Sequence, residues 1–262
     1  MSPKDSGATD VLAHLSFSTI LLIAAGLTVL RMILLSLDKS SKPDPTKGSG
    51  ARMLAEICES LAQVGVLVFL LIRPYVVQAF YIPSPSMERT LLGHDAGPSP
   101  YSNEVYKHTV HDHIFVDKFI YLHSNPQHGD IVVFRAPPKA MPGSSPTDRT
   151  FIKRCIGIPG DTIQIVEQNG EDYVERNGVV LHEYHNPKLD YSIHKPMDPS
   201  LNDSFHYAYP APLHLGKNQY FVMGDNRNES NDSRYWGTVS RWRFIGKAEV
   251  IFWPLDRIRF LH

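Results

Sequence analysis

The sequence predicts a mainly β protein, an antiparallel β-sheet domain over residues 83–262 anchored by N-terminal transmembrane helices. Three observations carry that expectation. Two Asn-Gly steps, Asn169-Gly170 and Asn177-Gly178, lie between alternating runs in "DTIQIVEQNGEDYVERNGVVL" (161–181), the strongest short signal for two-residue hairpins. No long amphipathic helical pattern follows residue 90, and 20 prolines with 17 glycines suit a loop-rich β domain. Ahead of that domain stand two apolar stretches of roughly bilayer-spanning length.

The first stretch, residues 12–37, reads "LAHLSFSTILLIAAGLTVLRMILLSL" and carries one charge, Arg31. At about 1.5 Å per residue it is long enough for a hydrocarbon core about 30 Å thick. A cleaved signal peptide is the competing reading, but only Lys4 precedes the run as a base and no small-x-small cleavage site follows. The second stretch, "LAQVGVLVFLLIRPYVVQAFYI" (61–82), has a shorter core, Val64–Ile72, interrupted by Arg73-Pro74. A spanning helix over 58–82 requires Arg73 to snorkel and Tyr75, Phe80 and Tyr81 to sit among the headgroups. A buried or interfacial helix is its alternative.

Lys39, Lys42, Lys47 and Arg52 lie between the two stretches, which puts that linker in the cytoplasm. The expected layout is a membrane segment with cytoplasmic linker (1–57), a second span (58–82) and an outward-facing domain (83–262). The protein is then a multi-pass protein of the cell membrane. Cys58 and Cys155 would begin on opposite sides of the bilayer, so a fold without disulfides follows.

In the outward domain "HIFVDKFIYL" (113–122), "DIVVFRA" (130–136) and "AEVIFWPLDRIRF" (248–260) join 161–181 as strand candidates. Residues 93–110 and 183–216 lack a clear pattern and read as surface insertions. The formal net charge of −1 excludes the basic field of a nucleic-acid binder.

The chemistry-bearing candidates fall in three segments. In "YIPSPSMERTLL" (81–92), Ser84 and Ser86 are held between Pro83, Pro85 and Met87. A serine hydroxyl is a poor nucleophile until a base takes its proton. No G-x-S-x-G elbow is present. The histidines of "HTVHDH" (108–113) and "HEYH" (182–185) have metal-ligand spacing, but loop histidines without a surrounding ligand set are the stronger reading. The second segment is "TFIKRCIGIPGDT" (150–162), where Lys153 either enters an apolar pocket or points to solvent from an edge strand. Desolvation in such a pocket, with Arg154 close by, would lower its pKa toward a working base. The third, "VMGDNRNESNDSRYWG" (222–237), spaces Asp232 and Arg234 for an ion pair and offers Ser230 to an amine.

Together these segments resemble the bacterial type I signal peptidases (leader peptidases), membrane-bound serine proteases that release exported proteins. "IPSPSMERTL" is similar to the nucleophile box, "GDIVVF" to a structural strand, "FIKRCIGIPGD" to the lysine box, "GDNRNESNDSRYWG" to the supporting box and "GKAEVIFWP" to the closing strand. The resemblance implies that Ser86 is the nucleophile and Lys153 the general base. It implies an oxyanion hole from the Ser86 N–H and the Ser84 hydroxyl, and a lysine-orienting role for Ser230. Asp232, Arg234, Asp225 and Arg227 would be structural support. Phe80, Ile82, Pro83, Met87, Leu91, Phe151 and Ile152 would shape shallow pockets for small side chains.

It further implies no cofactor and no metal. The partners would be signal-peptide-bearing preproteins, membrane lipid and the protein export machinery. Arg89 stands where the family usually has proline, and Pro85 where glycine is common. A specialised Ser/Lys protease for one envelope precursor is an alternative. So is a non-catalytic, membrane-tethered β domain, which the presence of both Ser86 and Lys153 disfavours.

Overall fold

The computed structural model describes residues 17–38, 50–68, 72, 75–88, 90–98, 105–140, 150–168, 171–181 and 211–261. They form two compact units, divided between Val77 and Gln78.

In the first unit, helices α1 (Phe17–Asp38) and α2 (Gly50–Leu67) pack together. Arg31 of α1 pairs with Glu59 of α2 at 2.8 Å. Large apolar side chains stay exposed on both, among them Leu22, Met32, Met53 and Leu61. Among the described residues, no helix is long and apolar enough to cross a membrane. The single helix expected over 58–82 is not what forms. The helix starts earlier, at Gly50, and Val77–Tyr81 is strand β1. Its β-branched and aromatic residues suit a pleated surface, and there it finds a neighbour strand. Arg73-Pro74 lies outside the described residues.

The second unit is built on one large sheet. After β1 come β2 (Gly93–His94), β3 (Gly97–Pro98), β4 (Val105–Tyr106), β5 (Val110–His111) and β6 (His113–Asp117). Then follow β7 (Ile131–Arg135), β8 (Thr150–Gly157), β9 (Thr162–Gln168), β10 (Glu171–Arg176), β11 (Val179–Val180) and β12 (Leu213–His214). The chain closes through β13 (Gln219–Met223), β14 (Val239–Ser240), β15 (Phe244–Trp253) and β16 (Arg259–Phe260). The large sheet runs β1-β6-β15-β7-β8-β13-β14, with β16 also on β15. A second, four-stranded sheet runs β11-β10-β9-β12. The described registers are all antiparallel.

Strand β7 is buried on both faces, Val132 and Phe134 in one core, Ile131 and Val133 in the other. It therefore reads as a continuous apolar run rather than an alternating one. The strand expected over 113–122 stops at Asp117. That carboxylate accepts the N–H groups of Phe119 (2.8 Å) and Ile120 (3.1 Å) and starts one helical turn, α3 (Ile120–His123). The Asn177-Gly178 hairpin forms with φ of 55° and 78°, both left-handed as a type I′ turn requires. Asn169-Gly170 lies outside the described residues, but β9 and β10 pair on either side of it, Gln168 opposite Glu171.

Where it is described, the insertion at 93–110 is more ordered than its pattern suggested; residues 99–104 lie outside the described residues. It forms a narrow ribbon in which β2 pairs with β5 and β3 with β4. Of the stretch 183–216, residues 183–210 lie outside the described residues, as does the "HEYH" group.

Candidate active site

Ser86 is the middle residue of a single 3-10 turn, Pro85–Met87. Pro85 supplies the fixed φ that a first helical position favours, and the Glu88 N–H closes the turn on the Pro85 carbonyl at 2.9 Å. Ile82, Met87 and Leu91 tie it down by burial in a core shared with Ile114, Val133 and Ile251.

Lys153 comes from β8, paired with Val132 of β7. By strand alternation its side chain shares a face with Phe151 and Cys155, and its ammonium lies 5.6 Å from the Phe151 ring centroid. The side chain is only 5% exposed. Nζ donates to Ser86 Oγ at 2.7 Å and to the Ile152 carbonyl at 2.9 Å. The pocket, not the edge strand, is where Lys153 points. Burial pushes its pKa down to about 8; Asp232 and Asp225 push back, and Arg234 assists burial. The assisting cation is thus Arg234 rather than Arg154, whose charge is taken up elsewhere.

Arg154 grips the Asp225 carboxylate with two hydrogen bonds of 2.7 and 2.6 Å and donates to the Gly129 carbonyl. A second buried pair joins Arg234 to Asp232, both bonds 2.8 Å. Burial alone would raise the Asp232 carboxyl. Arg234 beside it, with the Gly224 N–H at 3.0 Å, holds it below the ordinary carboxylate range. Arg234 also donates to the Arg227 carbonyl, and Arg227 to that of Gly224. All four expected support residues therefore lie around Gly224, but the partner of Asp225 comes from the lysine strand.

Residues 54–253 match the family model described as signal peptidase, peptidase S26. The chain belongs to the signal peptidase family. It is 36% identical over 196 residues to a probable signal peptidase I-2 of Synechocystis, which spans 75% of this chain and 72% of that protein. Signal peptidase I of Leptolyngbya laminosa is 35% identical over 205 residues, 77% of this chain and 82% of that one. Signal peptidase I of Mycobacterium tuberculosis is 30% identical over 253 residues, 84% and 78%. The family makes the chain a serine endopeptidase, a hydrolase.

Against what the family resemblance implies, two placements stand out. Ser84 Oγ lies 3.3 Å from Ser86 Oγ, on the exposed side of the turn. Ser230 is buried, but its hydroxyl makes no hydrogen bond to Lys153. It lies near enough to Asp232 to help hold that carboxyl down. It also lies against Gly224, where a Cβ would stand 2.3 Å from Ser230 Oγ and 2.3 Å from the Ser86 carbonyl oxygen. Among the proposed pocket residues, Met87 and Leu91 have no exposure and Ile82 almost none, while Phe80, Phe151 and Ile152 are part-exposed and Pro83 is exposed.

The sequence reading missed Asn226. Its backbone N–H donates to the Ser86 carbonyl at 3.2 Å and its side-chain amide to the Pro85 carbonyl at 3.3 Å. Buried carbonyls need such donors, and these two pull the Ser86 turn against the loop after β13. The only signal was the crowding of asparagines in that loop. Among the described residues no group of His, Cys, Asp or Glu is placed to hold a metal. His111 is engaged by the Ile82 carbonyl and Asp95. Arg89 lies outside the described residues.

Proposed function

We propose that the enzyme removes signal peptides from exported preproteins with Ser86 as nucleophile and Lys153 as general base. The observation that carries this reading is the 2.7 Å contact between a buried amine and a serine hydroxyl, with the amine's pKa drawn down to about 8. Near that pH much of Lys153 is neutral and can accept the Ser86 proton as Oγ attacks the scissile carbonyl carbon. The protonated lysine then gives the proton to the departing amine nitrogen. In the second half, neutral Lys153 takes a proton from water as the water oxygen attacks the acyl carbon, and the protonated lysine returns that proton to Ser86 Oγ as the ester bond breaks. The Ser84 hydroxyl and the Ser86 N–H would donate to the oxyanion, each such donor being worth about 3 kcal/mol.

Phe80, Phe151 and Ile152 would face the small substrate side chains beside Pro83, while Ile82, Met87 and Leu91 form the floor behind them. Ser230 would hold space beside the lysine rather than a hydrogen bond. Asp225, Arg227, Asp232 and Arg234 would keep the loop after β13 in place. For location, the apolar side chains exposed on α1 support a membrane anchor. The basic linker supports an extracytoplasmic domain 83–262 that meets lipid and the export machinery.

The test is cleavage of a preprotein whose signal sequence ends in Ala-x-Ala, by the full chain in detergent. Cutting after the last alanine is expected, and Ser86→Ala and Lys153→Ala should each lose at least about a thousandfold in kcat. Near-normal cleavage by either variant would refute the dyad.

A further inference from the structure

The ribbon, residues 93–98 and 105–111, is fastened to the Ser86 turn by a buried carboxylate. Glu88 lies two residues beyond Ser86 and is 5% exposed. Its backbone N–H is the bond that closes the 3-10 turn around Ser86. Its side-chain carboxylate is hydrogen-bonded into the ribbon, with the Arg257 guanidinium close enough to feel its charge. Oε1 takes the His94 Nδ1 and faces the Gly93 N–H at 3.5 Å. Oε2 accepts the Tyr106 hydroxyl at 3.0 Å. The donors come from both arms of the ribbon, and the His94 and Tyr106 rings stack on each other at 3.7 Å.

Two further contacts join ribbon and turn. Gly93 packs so closely that a Cβ there would stand 2.6 Å from the Ser84 carbonyl oxygen. The His111 ring bonds the Ile82 carbonyl at 2.9 Å. At the ribbon's base, the fully buried Asp112 takes two hydrogen bonds from Arg257, at 2.7 and 2.8 Å, and one from the Leu92 N–H. Residues Ile82–Leu92 are thus bordered by ribbon contacts at both ends and in the middle.

We propose that this ribbon is a positioning element for the nucleophile and that it acts through Glu88, held by His94 and Tyr106. The inference rests on Ser86 being the nucleophile. A buried carboxylate deprived of a donor is costly, so loss of a ribbon donor lets Glu88 move toward water. The backbone bond that closes the turn moves with it, and Ser86 Oγ leaves its place 2.7 Å from Lys153. Such a shift weakens chemistry more than substrate binding, because Phe80, Phe151 and Ile152, which face the substrate side chains, lie outside the turn, while Met87 and Leu91 only form the floor behind them.

The experiment compares wild type, Tyr106→Phe, Glu88→Gln, Glu88→Asp and Ser86→Ala as full chains in detergent. It reads kcat and KM on an Ala-x-Ala peptide beside the thermal midpoint. Tyr106→Phe is expected to lose about tenfold and Glu88→Gln about a hundredfold in kcat, the range a misplacement of about 1 Å produces. KM should stay within about twofold, and Glu88→Asp should regain part of the rate by keeping the charge. A kcat equal to wild type in Tyr106→Phe overturns the inference even if Glu88→Gln fails to fold. So does a rise in KM alone, which would make the ribbon a substrate contact, or a lowered thermal midpoint with unchanged kcat, which would make it structural only. A wild type that does not cleave overturns the proposed function itself, and this inference with it.

Discussion

The serine and the lysine are delivered by different kinds of structure. Lys153 rides on β8 in the interior of the large sheet, between β7 and β13, and its position follows from strand register. Ser86 rides on one 3-10 turn that belongs to no sheet and is held by side-chain and backbone hydrogen bonds from Asn226 and the ribbon. A register is shared by many backbone bonds and tolerates the loss of one. A turn held by a few polar contacts does not. The lysine side should therefore fail through stability and the serine side through catalysis.

Asp225→Ala strikes the lysine side hardest. It leaves Arg154 buried without its carboxylate, and breaking such a pair costs about 3–5 kcal/mol. Chemical denaturation should show that loss; a change below about 1 kcal/mol would mean the pair contributes little to holding β8 against the loop after β13. Gly224→Ala strikes the serine side. A methyl group there would meet the Ser86 carbonyl oxygen at 2.3 Å, so the turn must shift, and about a hundredfold loss in kcat is expected with the domain still folded. Unfolding without loss of specific activity in the folded fraction would erase the distinction.

The smallest effect concerns the lysine's own proton. Its folded pKa, about 8, lies below the ordinary 10.5, so between those values the unfolded chain binds more protons and stability rises with pH. Below pH 8 the buried charge is a full cost. Lys153→Met should therefore stabilise the fold by on the order of 2 kcal/mol at pH 7. That gain should shrink as the pH climbs from 8 toward 10.5. The wild-type rate should rise through pH 8 as the amine loses its proton. A stability gain independent of pH would argue that packing, not the charge, limits this site.

What could be read in advance divides the same way. The hairpin at Asn177-Gly178 and the strand at 130–136 were legible because each is a local pattern. Asp232 and Arg234, two apart in sequence, could be paired by spacing alone. Asp225 and Arg154 could not, since 71 residues separate them and only the β8–β13 register brings them together. Strand β1 looked like the end of an apolar helix because its residues suit both states, and only a partner strand decides between them. The ribbon escaped notice because its strands are two residues long, too short for any period to appear.

Those separations also set a chronology. Ser86 meets Lys153 across 67 residues, Pro85 meets Asn226 across 141, and Asp112 meets Arg257 across 145. Contacts so distant along the chain form late in folding, after the loops between them have closed. A chain still emerging from synthesis holds Ser86 long before it holds Lys153, Asn226 or Arg257. On the proposed Ser86–Lys153 dyad, hydrolytic competence thus arrives only once these distant segments have met.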